Sequence, residues 1–192
     1  MSKTAQISQI AGKIDEYRDV ILTGKILSID PSVGSASSMP GYAIAEEGIL
    51  VESGLIKLPI HLPLHLRLAE LGRVLREDFE SPDLIILEYI GGYAFGPLRY
   101  NINAYHSLIK AAGVASSATY TEKLIEVPPS VWKKYTDEDY VKGDEADAVY
   151  LLKYVLMAAK GTLPEPKVFE RKPKKPRVPR KSKVKQKKTR SK

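Results

Sequence analysis

Four carboxylates in this chain stand where apolar sequence begins or gives out. Asp30 ends the run Ile26-Leu27-Ser28-Ile29, Glu88 ends Leu84-Ile85-Ile86-Leu87, and Asp144 and Asp147 open a stretch that continues Ala148-Val149-Tyr150-Leu151-Leu152. The first two runs are nearly unbroken in apolar character, which describes central strands covered on both faces. An ionised group at the tip of such a strand is costly unless a cation or a ligand compensates it. Magnesium suits that position because it takes hard oxygen ligands. Two such ions can flank a phosphodiester and stabilise both the attacking and the leaving oxygen.

The last pair has a second explanation. Asp144 and Asp147 are three apart and share one face of a helix. Asp144 also suits an N-cap and Asp147 the first turn, where the helix dipole favours negative charge. Capping alone accounts for both of these residues but for neither Asp30 nor Glu88.

The elements that must position the four acids are readable in outline. Ile7, Ile10, Ala11, Ile14 and Tyr17 recur at helical spacing, predicting an amphipathic helix over roughly residues 4 to 21. Strands are expected near 25–30, 41–46 and 49–57. The last two are joined by Glu47-Gly48 in a tight turn and are therefore antiparallel. Leu64, Leu68, Leu71, Val74, Leu75 and Phe79 mark one face of a helix that Ser81-Pro82 ends. After the strand that delivers Glu88, a helical stretch runs from about Leu98 towards Tyr120, interrupted or bent near Gly113. Lys123 to Val127 forms a fifth strand, closed by Pro128-Pro129.

In this order the elements resemble the RuvC-type Holliday-junction resolvases of the RNase H-like fold, over roughly residues 24 to 160. The resemblance rests on Ile29-Asp30-Pro31 followed after a loop by Gly41-Tyr42-Ala43-Ile44, and on the strand ending in Glu88. It also rests on Val131-Trp132-Lys133-Lys134 after Val127-Pro128-Pro129, and on Asp144-x-x-Asp147 followed by Ala148 and a helix. It implies an α/β fold: a mixed five-stranded sheet, first three strands antiparallel, with helices on both faces. It implies metal-dependent cleavage of branched DNA, with Asp30, Glu88, Asp144 and Asp147 as the metal-binding catalytic carboxylates. Asp30 would bridge two Mg²⁺ ions, Glu88 and Asp147 would each hold one, and Asp144 would be a ligand or orient water; Mn²⁺ would substitute. Lys133 would be the catalytic lysine, and Lys133 and Lys134 would contact the DNA backbone. A homodimer is implied as well, because a four-way junction is two-fold symmetric and needs two opposed nicks. The helix bearing Leu98, Ile102, Tyr105, Leu108 and Ile109 is the candidate interface.

Two departures from the family pattern limit what carries over. The loop from Asp30 to Gly41 is longer than in the bacterial enzymes and holds Ser32, Ser35, Ser37 and Ser38. Bacterial members also place an aromatic residue three positions after the glutamate, where this chain has Gly91. Tyr89, Tyr93 and Phe95 surround that glycine and either stack on an exposed base or pack the loop onto the body. Tyr93, Phe95 and the nearby Arg99 are counted as DNA-binding candidates.

Charge is divided along the chain. From Lys167 to Lys192 there are 14 basic residues and one acid, a sum of +13, whereas the remaining 16 basic and 22 acidic residues sum to −6. The basic segment has almost no apolar content, so it is expected to be disordered. An extended polycation releases counterions from phosphates and adds salt-sensitive affinity without reading sequence, which makes Lys174, Lys175, Arg177 and Arg180 DNA-binding candidates. The expected organisation is therefore an N-terminal helical extension over 1–23, a nuclease domain over 24–162 and a Lys/Arg/Pro-rich tail over 163–192. A small enzyme without a second domain and with an appended basic tail fits a phage or large-virus source.

Several classes are disfavoured. There is no cysteine, which excludes disulfide scaffolds and cysteine zinc sites. No apolar stretch has the length of a membrane span and the first residues lack a signal-peptide core, so a cytoplasmic location, or host cytoplasm for a viral protein, is expected. No phosphate-binding Gly-x-x-x-x-Gly-Lys-Ser/Thr loop is present, and no nucleotide cofactor is expected. His61 and His65 are separated by Pro63 and read as surface imidazoles. Two other functions remain open, namely a different RNase H-like nuclease acting on RNA-DNA hybrid or packaging DNA, and a non-catalytic DNA-binding protein that works through the tail. Four intact acids argue against the latter.

Overall fold

The computed structural model of the protein describes residues 3–33, 39–79, 81–88, 102–137 and 139–167. Among these are five strands in one mixed sheet. They are β1 (Lys25–Asp30), β2 (Gly41–Glu46), β3 (Ile49–Leu55), β4 (Leu84–Glu88) and β5 (Leu124–Val127), in the spatial order β3-β2-β1-β4-β5. The first three strands are antiparallel neighbours, while β4 lies parallel to β1 and β5 parallel to β4. This is the sheet expected of the RNase H-like arrangement. The β2–β3 turn needs positive φ at both central positions, and Glu47 and Gly48 adopt φ of 51° and 71°.

Alternation along the central strands decides which helices cover which face. Ile26 on β1 and Leu84 and Ile86 on β4 belong to one core, which is covered by α6 (Asp144–Lys160) through Ala148, Leu151, Leu152 and Val155. Leu27, Ile29, Ile85 and Leu87 point the other way. They meet α3 (Leu64–Glu77), whose Leu68, Leu71 and Leu75 are buried, and α4 (Ile102–Ala118), which contributes Ala111, Ala115 and Ala118. Buried Ser28 points to the α6 face, where its hydroxyl donates to the Ala148 carbonyl at 2.9 Å and ties the helix to the centre of the sheet.

The N-terminal helical region is two helices, α1 (Lys3–Glu16) and α2 (Arg18–Thr23), rather than the single expected one. Tyr17 breaks the run at φ −101°, ψ 14°. Ile10 and Ile14 of α1 and Ile21 of α2 all join the α6-side core. Lys13 Nζ donates to the Leu124 carbonyl, and Arg18 Nη1 donates to the Ala159 carbonyl in the last turn of α6, both at 2.9 Å. The expected interruption near Gly113 is also corrected, because α4 runs unbroken from Ile102 to Ala118. Gly113 is exposed and open space lies where a Cβ would be, so the residue marks no close packing.

Gly41 fixes how closely the head of α6 approaches the sheet. A Cβ at Gly41 would sit 1.8 Å from the Asp144 carbonyl oxygen, so backbone meets backbone there. Gly41→Ala must push away the first turn of α6 or the start of β2. Overpacking of this kind costs about 3 kcal/mol, which corresponds to a Tm roughly 6–12 °C lower by thermal unfolding.

Candidate active site

Two strand tips and one helix start converge at the C-terminal end of β1 and β4. The register places Ile29 opposite Leu87, so the next residues, Asp30 and Glu88, leave the strands side by side. Both continue the parity of Ile26, Ser28, Leu84 and Ile86 and therefore face α6. Asp147 lies in the first turn of that helix. Asp30, Glu88 and Asp147 each bring a carboxylate oxygen within 4.8 Å of the others.

Asp144 stands apart from this group of three. The helix is capped by Gly143 without a side-chain bond, so Asp144 is not the N-cap that its position suggested. Its Oδ2 instead accepts the Met39 N–H at 3.2 Å, which ties the far end of the 30–41 loop to the site. Burial raises its pKa, while the Met39 N–H and the Ser32 hydroxyl partly offset the rise.

The carboxylates repel one another in a poorly solvated place. Asp30 is 5% exposed. Burial, followed by the charges of Glu88, Asp144 and Asp147, pushes its carboxyl well above the ordinary range, against the pull of Lys133. Glu88, with its side chain 13% exposed, is pushed up to about 7, chiefly by burial. Glu88 Oε1 is buried without a hydrogen-bond partner, as is Nε1 of Trp132. The indole N–H lies towards Glu88 and eases its charge without completing a hydrogen bond. A buried, unpartnered carboxylate oxygen beside two further carboxylates makes an all-oxygen donor set, which fits a hard divalent cation.

Lys133 is the local counter-charge. It opens a 3₁₀ turn, Lys133–Tyr135, that follows the short helix α5 (Pro129–Trp132). Its Nζ donates to Asp147 Oδ2 at 2.8 Å and lies 3.9 Å from Glu88 Oε1. It also sits 4.7 Å from the centre of the Trp132 ring. Trp132, 1% exposed, anchors the segment and does not offer its face to a ligand. Lys133 and Lys134 also line a groove of about 260 Å³ with Gln6, Ile7, Pro129 and Ser130, so α1 forms one wall beside the site.

One contact had no signal in the sequence. Tyr140 donates its hydroxyl to Asp147 Oδ1, and nothing in the 136–143 segment's composition or periodicity marks that tyrosine. His61 and His65 are exposed, and neither belongs to the acidic group. Tyr93, Phe95, Arg99, Lys174, Lys175, Arg177 and Arg180 lie outside the described residues, as do Tyr89 and Leu98. Among the described residues, no helix is long and apolar enough to cross a membrane.

The electrostatics predict a particular pH dependence. Between the ordinary glutamate value near 4.5 and about 7, native Glu88 keeps its proton and the unfolded chain has lost it. The native state then binds more protons, so stability falls as pH rises through this window. Glu88 contributes at most about 3 kcal/mol to this loss, and Asp30, raised by burial and the same neighbouring charges, adds in the same direction. Urea unfolding with a chelator should show it, Glu88→Gln should reduce it, and millimolar magnesium should flatten it.

No protein-family model matches the chain, and a search of curated proteins returns no match. Two solved structures of Thermus thermophilus RuvC do match it, each with a TM-score of 0.51. One is RuvC in complex with a Holliday junction substrate. It is 16% identical, and the match covers 72% of this chain and 97% of that one. The other is 17% identical and covers 72% and 98%. The protein therefore has a RuvC-like fold of the RNase H-like type, carrying an acidic group that could hold a metal ion.

Proposed function

We propose that this protein is a metal-dependent, structure-selective endodeoxyribonuclease that resolves four-way DNA junctions by paired phosphodiester hydrolysis. The observation that carries the reading is the convergence of Asp30, Glu88 and Asp147 from two strand tips and a helix start, on a sheet of RuvC-like order. Asp30, Glu88 and Asp147 would hold magnesium, or manganese in its place, with Asp144 on the rim. The bound metal would supply neutralisation of phosphate charge and a bound water whose lowered pKa lets it lose a proton and attack phosphorus as hydroxide. Lys133 is 37% exposed at its side chain, so it reaches solvent as well as the carboxylates. Its ammonium would hold a non-bridging phosphate oxygen and offset the charge that develops there. Lys134 and the groove beside it would guide the flanking backbone.

Two opposed nicks call for two such sites, and a C2 homodimer is part of this proposal. In α4, Ser107, Ala111, Ala115 and Ala118 are buried while Ile109 is 43% exposed, which leaves apolar surface for a second copy. The test is incubation with a four-way junction, a flap, an RNA-DNA hybrid and a linear duplex, with and without magnesium. Paired, magnesium-dependent nicks in the junction are expected. Preference for the hybrid would make the protein a different RNase H-like nuclease, and binding without cleavage would make it a non-catalytic DNA-binding protein.

A further inference from the structure

Asp147 is gripped on both oxygens. Lys133 Nζ holds Oδ2 at 2.8 Å, and the Tyr140 hydroxyl donates to Oδ1. The two donors differ in what fixes them. Lys133 is a flexible, half-exposed side chain, whereas the Tyr140 ring is held in a row of aromatics. It meets Trp132 edge to face at 6.3 Å and 85°, and Tyr150 at 5.1 Å and 86°. Trp132 is locked in the core, and Tyr150 is tied down by its own hydroxyl, which donates to Asp137 Oδ1. The row therefore spans from α5 to α6 and sets where the Tyr140 oxygen lies. A carboxylate at the first turn of a helix has two free torsions, and a donor placed by a rigid ring removes that freedom at one oxygen.

We infer that Tyr140 is a positioning residue that presets Asp147 for a divalent cation, by holding Oδ1 so that the carboxylate faces Asp30 and Glu88. The inference rests on the metal-dependent reading of the site and names a residue outside the four acids and the lysine. Hydrogen-bond donors to metal-ligating groups orient them, and their removal weakens metal binding about 10–100-fold. Tyr140 does not touch the DNA or the reacting atoms in this account and acts only through Asp147.

Tyr140→Phe keeps the ring and its two edge-to-face contacts and removes only the hydroxyl. Calorimetric titration of the DNA-free protein with Mn²⁺ reads the effect directly. The expected result is a Kd raised about 10–100-fold with an unchanged Tm. In junction cleavage the magnesium concentration for half-maximal rate should rise, saturating magnesium should restore most of kcat, and KM for DNA should stay constant. Tyr42→Phe is the control, because it removes a tyrosine hydroxyl bond to a carboxylate, Glu52, that is outside the site, and it should titrate as wild type. Wild-type Mn²⁺ affinity in Tyr140→Phe overturns the inference, as does an equal loss in Tyr42→Phe. If the wild type binds Mn²⁺ and Tyr140→Phe weakens it while no DNA is cut, the inference stands and the nuclease reading falls. If the wild type cuts junctions and Tyr140→Phe matches it in Mn²⁺ affinity and magnesium dependence, the inference falls and the nuclease reading stands.

Discussion

Asp30→Asn, Glu88→Gln and Asp147→Asn should each lower junction cleavage by at least about 10³-fold while leaving junction affinity within a few-fold. Each substitution keeps the size of the side chain and removes one charge from a donor set whose oxygens lie within 4.8 Å of one another. Metal stabilisation of a reacting phosphate is worth several kcal/mol, and a loss of about 4 kcal/mol is about a thousandfold in rate. Single-turnover cleavage under saturating DNA, beside a gel-shift measurement in calcium, separates chemistry from binding. A variant that cuts at near wild-type rate in magnesium would remove that residue from the proposed site. Asp30→Asn and Glu88→Gln should also raise the stability of the metal-free protein, because burial and neighbouring charge push both carboxyls towards the protonated state. Asp144→Asn should be milder, since Asp144 lies outside the group of three and is engaged with the 30–41 loop.

The second large effect is expected from the basic segment. Ending the chain after Lys167 removes 13 basic residues and one acid and leaves a body of net acidic charge. Each phosphate neutralised contributes about 0.9 to the slope of log affinity against log salt, and six to ten contacts change affinity by roughly 10³–10⁵ between 50 and 200 mM salt. The truncated protein should therefore bind junction, flap and duplex at least about 10²-fold more weakly at low salt, with a shallower salt slope for each. Cleavage of saturated junction should persist. Parallel salt slopes for the full and truncated chains would refute a role for the segment in phosphate contact.

The strands that carry Asp30 and Glu88 were legible because two independent signals coincide, a run too apolar to face water and an acid at its tip. Their side-by-side exit could also be read, since parity puts residues 26, 28 and 30 on one face and 84, 86 and 88 on another. It is the parallel β1–β4 register that makes those two faces the same. Local rules misled at Gly113 and Tyr17. At Gly113, helix packing through Ala111 and Ala115 outweighs the low propensity of an exposed glycine. At Tyr17, the spacing of apolar residues continues smoothly across the break, and Ile10, Ile14 and Ile21 share one core on its two sides, so the apolar pattern carries no mark of it. Asp144 looked like a cap because acids favour that position, and the backbone contact with Gly41 shows what holds the helix start instead. Tyr140 was illegible for a different reason, since its partner lies seven residues on, across a loop with no periodicity.

The segment that follows α6 runs back to the 3₁₀ turn, where the Lys167 N–H donates to the Lys134 carbonyl at 2.9 Å. That bond acts as a mooring. The 25 residues beyond Lys167 start one residue away from the lysine that touches Glu88 and Asp147. Covalent geometry limits them to a radius of about 80–90 Å from that point, or about 25 base pairs of B-form duplex. In the proposed reading the polycation is then a measuring line with its zero at the cut. The phosphates nearest to it are then those on the arms of the junction being cleaved, and a second DNA molecule competes for it only within the same radius.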